Sequence, residues 1–138
     1  MDPSVRAMLL QMSLEKIAKA ALLKNGQWVP ERAQTTHRGA SHMLMLLLGR
    51  RVIAKTGFKR EVVRNVIKPM VDTLENLHPA NRDAGPCLEY PWLTPLDVVE
   101  TPCNHLPVLS SYSAKSTRFP LLHSFASHLI ANHDKIFA

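Results

Sequence analysis

Leu10, Leu14, Ile17 and Ala21 recur at i, i+4, i+7 and i+11, which places them on one face of a helix. Asp2-Pro3 ahead of this stripe and Asn25-Gly26 behind it predict a helix over residues 4–24, with Lys16, Lys19 and Lys24 off the apolar face. The following stretch, QWVPERAQTTHRGA, holds Pro30 and Gly39 and reads as a loop. Ser41 is then expected to cap a helix over residues 42–55, which Gly57 ends. Its MLMLLLG run is apolar all round, the pattern of a deeply buried helix or a subunit contact. A third helix, residues 59–77, shows Val63, Val66, Ile67, Met70, Leu74 and Leu77 at helical spacing. Pro69 falls inside it, deprives the Asn65 carbonyl of its N–H partner and is expected to kink or divide the helix.

Residues 78–107 carry six prolines, too many for a helix to persist. Tyr90 and Trp92, two apart, fit a short extended piece pinned to the core. A last helix over residues 120–136 starts with Pro120 in its first turn, where a missing N–H costs nothing, and lines up Leu122, Phe125, Ala126, Leu129, Ile130 and His133. The expected fold is therefore all-α: an antiparallel bundle of about four helices with a long proline-rich irregular insertion before the last one. A length of 138 residues suits a single domain, and 46% hydrophobic content suffices for a core without disulfides or metal.

Charge changes this picture in one respect. The net charge is +6, and residues 50–68 hold seven basic side chains against Glu61 alone. Residues 72–100 reverse the sign, with six acids against Arg82. Arg60, Arg64 and Lys68, at i, i+4 and i+8, make a basic row that fits either a solvated face or a phosphate-bearing partner such as nucleic acid. Cys87 and Cys103 are too few for a disulfide scaffold, and with His78 and His105 they match no established zinc-ligand spacing, so neither metal nor cofactor is expected. Charges interrupt the apolar residues of the first helix, and no run reaches the ~18 apolar residues of a membrane span. A cytoplasmic location without membrane contact is the expectation.

Chemistry concentrates in STRFPLLHSF, residues 116–125. An arginine just before a helix and a histidine about one turn inside it suit a phosphodiester. Arg118 would hold non-bridging oxygens and His123 would move a proton to or from a ribose hydroxyl. Arg32 and His37 repeat the same spacing, so spacing alone does not select a site. His123, His128 and His133, five apart, turn about 140° from one to the next and cannot share a helical face. No nucleophile elbow and no glycine-rich phosphate loop occurs.

Two separated stretches resemble the HEPN family of small all-α domains. In LLQMSLEKIAKAALLKNG, Gln11, Glu15, Lys16, Lys19 and Ala20 occupy the family's Gln-x-x-x-Glu-Lys-x-x-Lys-Ala pattern, and His42 and Leu44 fit its Ser/Thr-His-Asp-Leu segment, with Met43 in place of the acid. In YSAKSTRFP, Tyr112, Arg118 and Pro120 match the Tyr…Arg-Tyr-Pro segment before the family's last helix, with Phe119 in place of Tyr. No counterpart of the family's preceding helix stands ahead of the first stretch. The resemblance implies a homodimer that is a nucleic-acid- or nucleotide-associated module, for instance the non-catalytic partner of a minimal nucleotidyltransferase. It also implies an alternative, a metal-independent, toxin-like endoribonuclease in which Arg118 and His123 form the Arg-x4-6-His motif. A protein-interaction domain docking through the proline-rich insertion is a third expectation.

Overall fold

The computed structural model describes residues 3–78, 81, 92–93, 96, 99–100 and 116–138. Helix α1 (Pro3–Lys24) ends where Gly26 takes a left-handed φ of 68°. It is followed by α2 (Pro30–Thr35), α3 (Gly39–Leu47) and α4 (Arg50–Thr56). A continuous helical rod then runs as α5 (Arg60–Val62), a π-helical turn (Val63–Ile67) and α6 (Lys68–Asn76). Two-residue strands β1 (Trp92–Leu93) and β2 (Val99–Glu100) pair antiparallel, with Trp92 opposite Glu100. Helices α7 (Arg118–Ala131) and α8 (His133–Ile136) close the chain. The fold is all-α.

The stripe read on α1 is buried throughout, Leu10, Leu14, Ile17 and Ala21 included, and packs with Met43, Leu44, Leu47, Ile67, Leu74, Leu122 and Phe125 in one core. Helix α1 is the central member, in contact with α3, α6 and α7. The C-terminus is tied to it as well: Asn25 Nδ2 donates to the Phe137 carbonyl at 3.3 Å, and Lys24 pairs with Asp134 at 2.5 Å.

Several elements differ from the sequence expectation, each for a local reason. The segment expected as a loop contains α2, whose Pro30 sits in the first turn and whose Ala33 is buried with Trp28 and Leu22 in a second small cluster. The expected 42–55 helix starts earlier and breaks at Leu48-Gly49, where Gly49 turns extended (ψ 138°) and a Cβ would stand 3.2 Å from the Leu46 carbonyl oxygen. Met43, Leu44 and Leu47 of its apolar run are buried, whereas Met45 is 64% exposed. Asn132 interrupts the last helix, and Ile130, one residue and so about 100° round from buried Leu129, is 60% exposed and lies outside the apolar face assigned to it.

Pro69 neither breaks nor splits its helix. The backbone widens just before it, so that the Lys68 N–H reaches back five residues to the Val63 carbonyl, and the π turn accommodates a residue that cannot supply the ordinary bond. The expected proline-rich insertion is described only at β1, β2, His78, Asn81 and Leu96; Tyr90, Cys87, Cys103 and His105 lie outside the described residues.

The N-terminus of α3 is capped from another helix. Ser41 lies inside α3, with its hydroxyl donating to the Arg38 carbonyl at 3.1 Å, and its backbone N–H is accepted by Glu75 Oε1 of α6 at 3.3 Å. Glu75 is buried, and a carboxylate at a helix N-terminus is favoured by the orphan N–H groups and the dipole there. Glu75→Ala should therefore lower unfolding free energy by about 1–2 kcal/mol, the range of a lost N-terminal cap, and Ser41→Ala by less. Urea denaturation followed by circular dichroism reads both.

Candidate functional site

Gln11, Glu15 and Lys19 follow one another at i, i+4 and i+8 along α1 and form a polar row beside its apolar stripe. The row meets the loop between α2 and α3, which supplies His37, and the end of α6, which supplies Leu74, Glu75 and His78. Apart from Lys19, these residues line a cavity of about 10 Å³ together with Leu14, Ala40 and Val71. That volume is close to the room one water molecule needs.

Glu15 is the hub. Its Oε1 accepts from His37 Nδ1 at 2.8 Å and pairs with Lys19 Nζ at 2.6 Å, while Oε2 stands 3.7 Å from His78 Nε2. The His37 and His78 rings stack at 4.2 Å between centroids and 15° between planes. One oxygen or nitrogen from each of Glu15, His37 and His78 lies within 4.8 Å of the others. Asn81 fastens this loop: its Nδ2 donates to the His37 carbonyl at 2.8 Å and the Glu75 carbonyl at 2.9 Å, and its backbone N–H donates to the His78 carbonyl at 2.9 Å. Gln11 Nε2 donates to the Leu74 carbonyl, which orients the amide and leaves Gln11 Oε1 buried without a hydrogen-bond donor.

Burial raises the Glu15 carboxyl, but hydrogen bonds and charge from Lys19 and His37 more than offset it, so Glu15 titrates below its ordinary 4.5. This grouping was not anticipated from sequence. Glu15 and Lys19 were singled out only as family landmarks, and His78 only beside cysteines that match no ligand spacing. The one signal available was the polar row itself, because Gln11 and Glu15 turn toward the packed side of α1.

Arg118 and His123 belong to a different surface, at the start of α7. Both are exposed, and their five-residue separation within a regular helix sets their side chains about 140° apart around the axis. Between them Phe119 stacks obliquely on His123 at 5.8 Å, and the Arg6 guanidinium of α1 covers the Phe119 ring at 5.3 Å. His128 turns to the Phe58 ring and His133 to the Ile17 carbonyl, so the five-spaced histidines diverge as their spacing requires. Arg118 does not reach Glu15, which Lys19 and His37 occupy.

Two members of the basic row, which spans the π turn, have partners of their own. Arg60 Nε donates to the Leu48 carbonyl at 3.0 Å, and Lys68 pairs with Asp72 at 2.5 Å. Arg64 is exposed and takes no partner among the described residues. His42 is exposed and meets Trp28 edge-on at 5.5 Å, and Tyr112 lies outside the described residues.

Because the folded-state pKa of Glu15 lies below its unfolded value, its contribution to stability is present above that unfolded value and is lost as pH falls through the folded one. In metal-free buffer, the stability gap between wild type and Glu15→Gln should be full well above pH 4.5 and shrink as pH falls below it, read by denaturant titrations across the acid range. No family model matches this chain, and neither any curated protein nor any solved structure does.

Proposed function

We propose that this chain is a HEPN-like, nucleic-acid- or nucleotide-associated helical module that works as a pair of identical copies. The observation that carries the reading is the surface at the start of α7, where Arg6, Phe119 and His123 stack in series and Arg118 is exposed in the same helical turn as Phe119. Such a surface combines what a nucleotide needs. Exposed Arg118 attracts a phosphate, and the Phe119 and His123 rings offer a face on which a base can stack. The uneven basic charge, with Arg64 outward, adds long-range attraction for a polyanion.

Binding ranks ahead of cleavage because, in one copy, the 140° divergence keeps Arg118 and His123 from converging on one phosphate. Metal-independent cleavage is the second reading. Its support is the exposure of both side chains and the Arg-x4-His spacing, and it requires a second copy to bring a further pair to the same phosphate. Pairing of copies has its own support in Val5, Leu9 and Met12, exposed apolar residues at helical spacing on α1. A nucleotidyltransferase partner fits the same non-catalytic role.

Fluorescence anisotropy with a labelled single-stranded RNA tests the binding. Affinity should fall linearly in log salt, and Arg118→Ala should weaken it about 3–10-fold while reducing the salt slope by about 1. No binding at low salt to RNA or to mononucleotides would defeat the proposal. Incubation with chelator decides the second reading: a 2′,3′-cyclic phosphate product that disappears in His123→Ala establishes cleavage, and intact RNA removes it. Light scattering of wild type against Leu9→Glu should report a dimer that the substitution dissociates.

A further inference from the structure

We propose that Glu15, His37 and His78 form a binding site for one transition-metal ion of the Zn²⁺ class, with a solvent molecule as its fourth ligand and Gln11 as the acceptor for that solvent. The donor set is chemically suited. Two imidazoles and one carboxylate are the ligands of an open zinc site, in which three protein groups leave the last tetrahedral position to water. The three groups come from α1, the α2–α3 loop and the residues just after α6, and they converge without any of the three being a neighbour in sequence.

The distances are compatible with a single ion. Around a tetrahedral ion with bonds of ~2.0–2.1 Å, ligand atoms sit about 3.4 Å apart, and the three donor atoms here lie within 4.8 Å of one another. The two imidazoles now stack nearly parallel, so binding requires the rings to tilt until their in-plane lone pairs meet at one ion. The backbone of the site is held from behind, because Asn81 anchors the carbonyls of both histidines.

An independent observation points to the same place. Gln11 is 5% exposed, lines the cavity beside Glu15, and its Oε1 has no donor among the described residues. Reversing the amide would set the Oε1 atom against the Leu74 carbonyl, acceptor against acceptor, so the orphan acceptor is fixed by the packing of α1 on α6. A buried acceptor without a donor is costly, and a metal-bound water, a strong donor, satisfies it. In the metal-free chain Lys19 supplies the positive charge at Glu15 Oε1. Arrival of the ion displaces the ammonium to solvent, which its partial exposure permits.

The test uses the full chain stripped with chelator. Zn²⁺ titrated calorimetrically should bind at one equivalent, and Co²⁺ should develop the visible absorption of a four-coordinate ion. His37→Ala and His78→Ala should each weaken binding more than about 100-fold, beyond the loss typical of an outer-sphere change, whereas Gln11→Leu should cost about 10-fold. His37→Asn, a smaller disturbance, repeats the test if an alanine variant loses its helical circular dichroism. His42→Gln should bind as wild type does. Absence of uptake at about 100 µM Zn²⁺, uptake unaffected by the His37 and His78 substitutions, or thiolate-to-cobalt charge-transfer bands assigning the ion to Cys87 or Cys103 would each overturn the site. None of these readouts involves RNA, so the outcome stands apart from that of the α7 surface.

Discussion

The end of α6 is buried against α1, and a buried helix end must find partners for carbonyls that have none within the helix. Side chains from elsewhere answer them. Gln11 donates to Leu74, Asn81 donates to Glu75, and the chain turns back so that the His78 N–H also reaches the Glu75 carbonyl at 3.1 Å. Each partner carries a neighbour with it: Gln11 brings Glu15 one turn along α1, and Asn81 brings His37 by its carbonyl. The Glu15–His37–His78 grouping is thus built on the satisfaction of one helix terminus. The Glu75 carboxylate uses the same junction to hold α3, which couples the placement of three helices to a few polar atoms.

Much of the helical framework was legible in the chain because helical spacing of apolar residues is a local property. The α1 stripe, the Gly57 stop and the buried face of α6 follow from it directly. The departures come from competing local rules. Gly49 outweighs a continuous apolar run, Pro30 starts a helix within a segment rich in loop residues, and Pro69 is absorbed by a π turn rather than a break. The Glu15 grouping was hidden for a different reason. His37 lies 22 residues from Glu15, and His78 comes to it only through the packing of α6, which no periodicity encodes. The chain shows that Arg118 and His123 share the start of α7, but Arg6, which covers Phe119, comes from α1 and could not be read there.

Two surfaces of α1 therefore carry different chemistry. Toward α6 it presents a neutral amide and a carboxylate to two stacked imidazoles in a confined space, where desolvation strengthens each interaction. Toward α7 it presents Arg6 to an aromatic ring at a solvent-accessible helix start, where charge acts at longer range and salt weakens it. The first environment suits a small tightly held ligand; the second suits an extended polyanion.

The widened turn at Val63–Ile67 gives this arrangement an upstream register control. A π turn holds one residue more than the α-helix it replaces, and one residue is about 100° of rotation. Everything after it in the rod, including the Leu74 carbonyl, the Glu75 carboxylate and the departure of the chain toward His78, is phased by that extra residue. A single deletion there, far along the helix from the cavity, would remove the turn that accommodates Pro69 and rotate those groups away from α1 together. The polar junction is in this sense addressed by chain length as much as by residue identity.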